Sequence, residues 1–143
     1  SLKRPVIIYN CLIEEKREMI LFKKISPHGF LDDLANCSCL ISTAGNQLVG
    51  EAMFLGKPVF AIPEPDNFEQ QINGHFLSAS GAGVHCELHQ VTSSNLRFFI
   101  SNLPMYRSRI DSGRMLGNET VCNVINTLLG MPQSGASVSR AVS

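Results

Sequence analysis

The stretch from Leu40 to Asn73, LISTAGNQLVGEAMFLGKPVFAIPEPDNFEQQIN, restricts what this chain can fold into more than any other part. Leu40 and Ile41 end one apolar run, and the small residues Thr43, Ala44, Gly45 and Asn46 make a turn. Leu48, Val49, Ala52, Met53 and Leu55 then recur at helical spacing until Gly56 stops the pattern. Pro58 to Ile62 is a second short apolar run. Two such runs joined by one helix predict a right-handed βαβ unit in a parallel sheet. The polar residues Asn46, Gln47, Glu51, Glu69, Gln70 and Asn73 gather at the loops beyond the strand ends. In open α/β sheets that edge binds ligands.

The rest of the chain continues the alternation. Val6 to Tyr9 reads as a strand covered on both faces, and Met19 to Phe22 as a second, ending in a solvated Lys23-Lys24. The polar patch Glu14 to Glu18 between them is too short to read as a helix. Ser26-Pro27 opens a helix with Phe30, Leu31, Leu34 and Ala35 on its buried side and Asp32-Asp33 on its wet side. Cys39 to Ser42 is the third strand, Pro58 to Ile62 the fourth, and Val84 to Leu88 a weaker fifth. Phe68, Ile72 and Phe76 mark the helix between the last two. Leu96, Phe99, Ile100 and Leu103 form a further helix capped by Thr92, Ser93 or Ser94 and ended by Pro104. Val121, Val124, Ile125, Leu128 and Leu129 form the last, closed by Gly130 and Pro132. The expected architecture is α/β, a Rossmann-like parallel sheet of about five strands with helices on both faces, over residues 1–130. Residues 131–143 have no periodicity and read as a disordered tail.

Composition removes several classes of function. At 143 residues the chain is one domain with room for a core. Twelve basic residues balance twelve acidic ones, so no overall field recruits nucleic acid or an anionic membrane. No apolar run approaches the ~20 residues of a membrane span, and no signal-peptide pattern opens the chain. The five cysteines, Cys11, Cys37, Cys39, Cys86 and Cys122, are odd in number and irregularly spaced. They suit reduced cytoplasmic thiols better than a disulfide framework or zinc site.

The chemistry sits in the central stretch. Gly45 lets the backbone approach a ligand closely, or it merely makes a tight turn. The helix opening near Asn46 offers unpaired N–H groups and the positive end of its dipole, an arrangement suited to phosphate. Glu51 can accept from two adjacent hydroxyls such as those of a ribose, or it is simply solvated. Glu69-Gln70 presents carboxylate and amide at a helix start, which suits sugar hydroxyls or complements the dipole.

The order Thr43-Ala44-Gly45-Asn46-Gln47-(three residues)-Glu51-Ala52-(three)-Gly56-Lys57-Pro58, then Pro63 and Glu69-Gln70-(two)-Asn73, resembles the donor-binding signature of GT-B glycosyltransferases. The match covers Ser26 to about Gly83 and is similar to the C-terminal half of members that use UDP-sugars. These include the lipid-linked N-acetylglucosaminyltransferases and the glucuronosyl and plant glucosyl transferases. The resemblance implies one GT-B half-domain, with its first strand and helix lying before Val6. It implies that Thr43, Ala44, Gly45, Asn46 and Gln47 receive the donor diphosphate, and that Glu51 holds the ribose. Glu69 and Gln70 would bind the transferred sugar, Ser26 and Phe30 would line the base pocket, and Asn73 would brace the loop. The implied donor is a UDP-sugar, with no cofactor and no metal.

Some positions depart from the pattern. Thr43 stands where many relatives carry histidine, and Leu48 where Ser or Thr is common, so phosphate binding must rest on backbone amides. Glu69 replaces the commoner Asp or Gln and leaves the sugar open. The resemblance puts the acceptor site and general base in an N-terminal domain or partner subunit, through which any membrane contact would come. None of His28, His75, His85 and His89 has motif context, and His75 alone, on the helix of Asn73, merits a test. Two other readings remain at this stage. A nucleotide-sugar 2-epimerase shares the spacing but calls for an arginine near the second loop, and Pro63 to Gln71 holds none. A non-catalytic nucleotide-sugar-binding or partner module is the other. A dinucleotide oxidoreductase is disfavoured because no G-x-G-x-x-G follows the first strand.

Overall fold

In the computed structural model, which describes residues 4–9, 12, 14–111 and 117–130, the chain opens with β1 (Val6–Ile8), β2 (Glu15–Arg17) and β3 (Ile20–Phe22). β1 runs parallel to β3, and β2 returns antiparallel on its other side, giving the order β1-β3-β2. The polar patch from Glu14 to Glu18 is therefore mostly a strand. Arg17 holds Glu15 through two bonds of 2.8 and 2.9 Å and lies 5.7 Å over the Phe22 ring of the neighbouring strand. Cross-strand pairing, rather than an apolar period, makes this strand. Glu18, at φ 50°, turns the chain back.

α1 (Pro27–Asn36) leads to β4 (Leu40–Ser42), α2 (Asn46–Phe54), β5 (Val59–Ala61), α3 (Phe68–Ala79) and β6 (Gly83–His85). A 3-10 turn (Leu88–Gln90), α4 (Ser93–Ser101) and α5 (Leu103–Arg107) follow. β4, β5 and β6 are parallel, in that order. The described strands thus make two three-stranded sheets, not one parallel sheet of five. The βαβ unit read from Leu40 to Ile62 is present as β4-α2-β5.

β5 shows why the second sheet has helices on both faces. Its side chains alternate: Val59 and Ala61 join Leu34 of α1, Ala52 and Met53 of α2 and Leu77 of α3 in one buried cluster. Phe60 points the other way, onto Phe99 of α4 and Leu103 and Tyr106 of α5. Two of these aromatic contacts are close, with ring centroids 5.4 Å apart for Phe60–Phe99 and 5.2 Å for Phe99–Tyr106. α2 ends at Gly56, whose φ of +67° suits glycine, with Lys57 N–H on Ala52 O at 2.8 Å and Gly56 N–H on Met53 O at 3.0 Å. Thr92 is the cap of α4, its hydroxyl and the Asn95 side chain each bonding the other residue's backbone N–H. Pro104 does not end that helical region; it opens α5.

α3 turns a small and an aliphatic residue inward and its aromatic residues outward. Gly74 and Leu77 are buried, whereas Phe68, Ile72 and Phe76 are exposed. A Cβ at Gly74 would come within 3.2 Å of the His85 ring, so the bare backbone lets α3 lie close on β6. A Cβ at Gly83 would lie 2.2 Å from Val59 O, which makes glycine obligatory there.

These elements belong to the unit Ser1–Ser112; the second unit, Gly113–Ser143, contains α6 (Gly117–Leu128). In α6, Val121, Val124, Ile125 and Leu128 are exposed. Cys11 and the expected tail over 131–143 lie outside the described residues. No helix among the described residues is long and apolar enough to cross a membrane.

Candidate functional site

Because β4, β5 and β6 are parallel, the loops after them open on one edge. Thr43, Ala44 and Gly45 follow β4, and Pro63 to Asn67 follow β5. Asn73 ties α3 to the first of these loops: its side-chain amide donates to Ala44 O at 3.1 Å. That is the bracing role expected of it.

The turn after β4 differs from a glycine turn. Ala44 is buried and carries the positive φ, 68°, while Gly45 has φ −59° and ψ 134°. Left-handed alanine costs about 1 kcal/mol, so the surrounding packing and the Asn73 bond hold it in place. Gly45 is required neither by this backbone nor by crowding, since a Cβ built there meets nothing within 4 Å. Space in front of the backbone remains as a reason for glycine.

Gly45 is also the N-cap of α2, and no side chain caps the helix. The first helical bond runs from Val49 N–H to Gly45 O at 3.0 Å. The N–H groups of Asn46, Gln47 and Leu48 precede it and have no acceptor among the described residues. Dipole and free amides together make this end of α2 attractive to an anion.

Glu51 is half-buried on the same helix, and its Oε1 accepts from the Gln47 side chain at 3.0 Å. Gln47 thus uses one of its two side-chain amide hydrogens to orient Glu51. Across the edge, Asn67 caps α3 by accepting from Gln70 N–H at 3.2 Å, and Gln70 Oε1 accepts from Glu64 N–H at 2.9 Å. The Gln70 side-chain NH2 is left to donate outward. Glu69 is exposed, next to Phe68, which is 83% exposed. An open depression lined by Glu64, Pro65, Asp66, Asn67 and Phe68 adjoins them.

Ser26 is the exposed N-cap of α1. Phe30 is half-buried, packed against the cluster that contains Ala44 and edge-on to Tyr9 at 5.0 Å. Lys23 and Asp33, expected in solvent, form an ion pair at 2.5 Å, and the Tyr9 hydroxyl donates to the same carboxylate and to Gly29 O at 3.1 Å. The Lys23 ammonium, then the Tyr9 hydroxyl, hold the Asp33 carboxyl below its ordinary range. Burial, then the bond to Asp33, pushes the Tyr9 hydroxyl up to about 12. The three side chains come from segments that no sequence period connects.

His85 ends β6, and its buried Nε2 has no hydrogen-bond partner, lying 3.6 Å from Glu87 Oε1. His75 is exposed and stacks edge-on to Phe76 at 6.0 Å. Among the described residues, no group of three or more His, Cys, Asp or Glu side chains is placed to hold a metal ion.

A family model described as Glycosyl transferase family 1 matches residues 3–104. No curated protein matches the chain. Among solved structures, the glycotransferase of kitacinnamycin is similar over 90% of this chain and 35% of its own, at 16% identity and a TM-score of 0.68. The spinosyn forosaminyltransferase SpnP is similar over 88% of this chain and 35% of its own, at 15% identity and a TM-score of 0.65. The glycosyltransferase SnogD from Streptomyces nogalater is similar over 86% of this chain and 36% of its own, at 16% identity and a TM-score of 0.62. The fold is that of GT-B enzymes, and the chain spans about a third of the length of these structures.

Proposed function

We propose that this chain, which belongs to glycosyl transferase family 1, is the nucleotide-sugar-binding half of such an enzyme, with a UDP-sugar as donor. The observation that carries the reading is the start of α2, where the N–H groups of Asn46 and Gln47 have no acceptor among the described residues and follow a glycine that neither conformation nor packing requires. The diphosphate lies on the N–H groups of Gly45, Asn46 and Gln47, beside Thr43 and Ala44. Glu51, oriented by Gln47, accepts the ribose hydroxyls. Glu69 accepts from hydroxyls of the transferred hexose or N-acetylhexosamine, and the Gln70 amide donates to them. Ser26 and Phe30 border the uracil.

In the reaction, an acceptor hydroxyl attacks the anomeric carbon and its proton passes to a base. The bond from that carbon to the diphosphate breaks, and UDP leaves with the electron pair. Charge developing on the departing phosphate is met by fixed amides, which need no reorganisation as the bond breaks. The acceptor and its base come from another domain or subunit, and neither metal nor cofactor is required. The compartment is cytoplasmic, consistent with reduced thiols.

Titration of UDP into the chain, followed by amide NMR, tests the reading. Signals of Gly45, Asn46 and Gln47 are expected to shift, and Glu51→Ala to weaken binding by about 1–3 kcal/mol. Undiminished affinity in that variant would remove Glu51 from the ribose site.

A further inference from the structure

α2 contains a second glycine that the fold does not explain. Gly50 lies in the interior of the helix, is exposed, and has no positive φ. A Cβ built on it meets nothing within 4 Å. Glycine inside a helix destabilises it relative to alanine, through backbone entropy and exposed peptide groups. Neither packing nor conformation within the protein offsets that cost.

Its position on the helix is informative. At about 100° per residue, Asn46, Gly50, Phe54, Gln47 and Glu51 fall within an arc of roughly 140°. Burial agrees: Asn46, Gln47, Gly50 and Phe54 are exposed and Glu51 is half-buried, whereas Ala52, on the opposite side, is buried. Gly50 is the bare position in the open arc that carries Asn46, Gln47 and Glu51. It adjoins Glu51 in sequence and lies about 6 Å along the axis from Asn46. A ring held by the Glu51 carboxylate, with its phosphate at the helix start, would have to cross the helix surface between them.

We propose that Gly50 is a specificity-determining clearance, leaving the α2 backbone bare so that the nucleoside ribose of the donor packs directly on it beside Glu51. This rests on the donor reading above and extends it to a residue that makes no polar contact. The ligand class it selects is a nucleoside diphosphate whose ribose lies flat on the helix. A side chain at position 50 raises the ring off the surface and separates its hydroxyls from Glu51.

The test compares the unmodified chain, Gly50→Ala, Gly50→Leu and Glu51→Ala by thermal melting and by calorimetric titration with UDP. Gly50→Ala is expected to raise Tm by about 2–6 °C while weakening UDP binding at least tenfold, with Gly50→Leu weakening it further. Raised Tm with unchanged UDP affinity would overturn the proposal, and if Glu51→Ala still weakens binding, the donor reading survives it. A lower Tm for Gly50→Ala would also overturn it, because glycine would then serve the fold. Failure of the unmodified chain to bind UDP would refute the donor reading, and the role of Gly50 with it.

Discussion

Ala44 and Gly45 divide between them two properties that the sequence suggests belong to one glycine. The strained backbone is at Ala44, locked by burial and by Asn73, and the open space is at Gly45. Stability and ligand affinity should therefore separate at Gly45. Its φ and ψ suit alanine, so Gly45→Ala is expected to change stability by no more than about 1 kcal/mol, the lost N-cap preference being offset by a less flexible unfolded chain. UDP affinity should fall at least tenfold. Equal losses in Tm and affinity would return Gly45 to an architectural role. Gln47 adds a side-chain role at this scale: besides the backbone contact with the diphosphate expected of it, its side-chain amide donates to Glu51. Side-chain partners one helical turn apart are foreseeable from spacing.

Among elements, α1 and β6 carry the sharpest consequences. α1 is tied to β1 and β3 by Asp33, which a helical pattern assigns to solvent. Asp33→Asn is expected to destabilise the chain by about 1–2 kcal/mol, modest because both partners keep some solvent. The sign of the pH dependence follows from the shifts. The Asp33 carboxyl is held below its ordinary range, so its contribution is present above the unfolded value and is lost as pH falls through the folded one. The Tyr9 hydroxyl is raised, so its contribution is present below the ordinary 10 and is lost as pH rises toward about 12. Urea midpoints measured across both ranges should flatten in Asp33→Asn. On β6, Gly83→Ala would drive a methyl into Val59 O and is expected to cost about 3 kcal/mol or more, read as a lower urea midpoint. The orientation of α3 has a similar origin: Gly74 and Leu77 supply the close contact with β6, which leaves Phe68, Ile72 and Phe76 outside.

For the whole molecule, the chain spans about a third of the length of the GT-B structures it resembles. If this third holds donor and the acceptor is presented elsewhere, the 143-residue chain should bind UDP without transferring sugar. Incubation with UDP-hexoses and simple hydroxyl acceptors, followed by mass spectrometry, checks this. Sustained turnover by the chain alone would overturn the division of labour.

The sequence by itself determined the β4-α2-β5 unit, because strand and helix periods differ and Gly56 and Pro58 punctuate them. It also determined the edge on which the polar residues gather and, through the spacing of Gly45, Glu51, Glu69 and Gln70, the family. Tertiary structure decided what depends on contacts between distant segments. The pairing that makes Glu15–Arg17 a strand, the Lys23–Asp33–Tyr9 cluster and the outward stripe of α3 each join residues that no local pattern links. So does the bond from Asn73 of α3 to the carbonyl of the left-handed Ala44. Local periodicity records which face a residue occupies, but charge pairing and close backbone approach depend on three-dimensional neighbours.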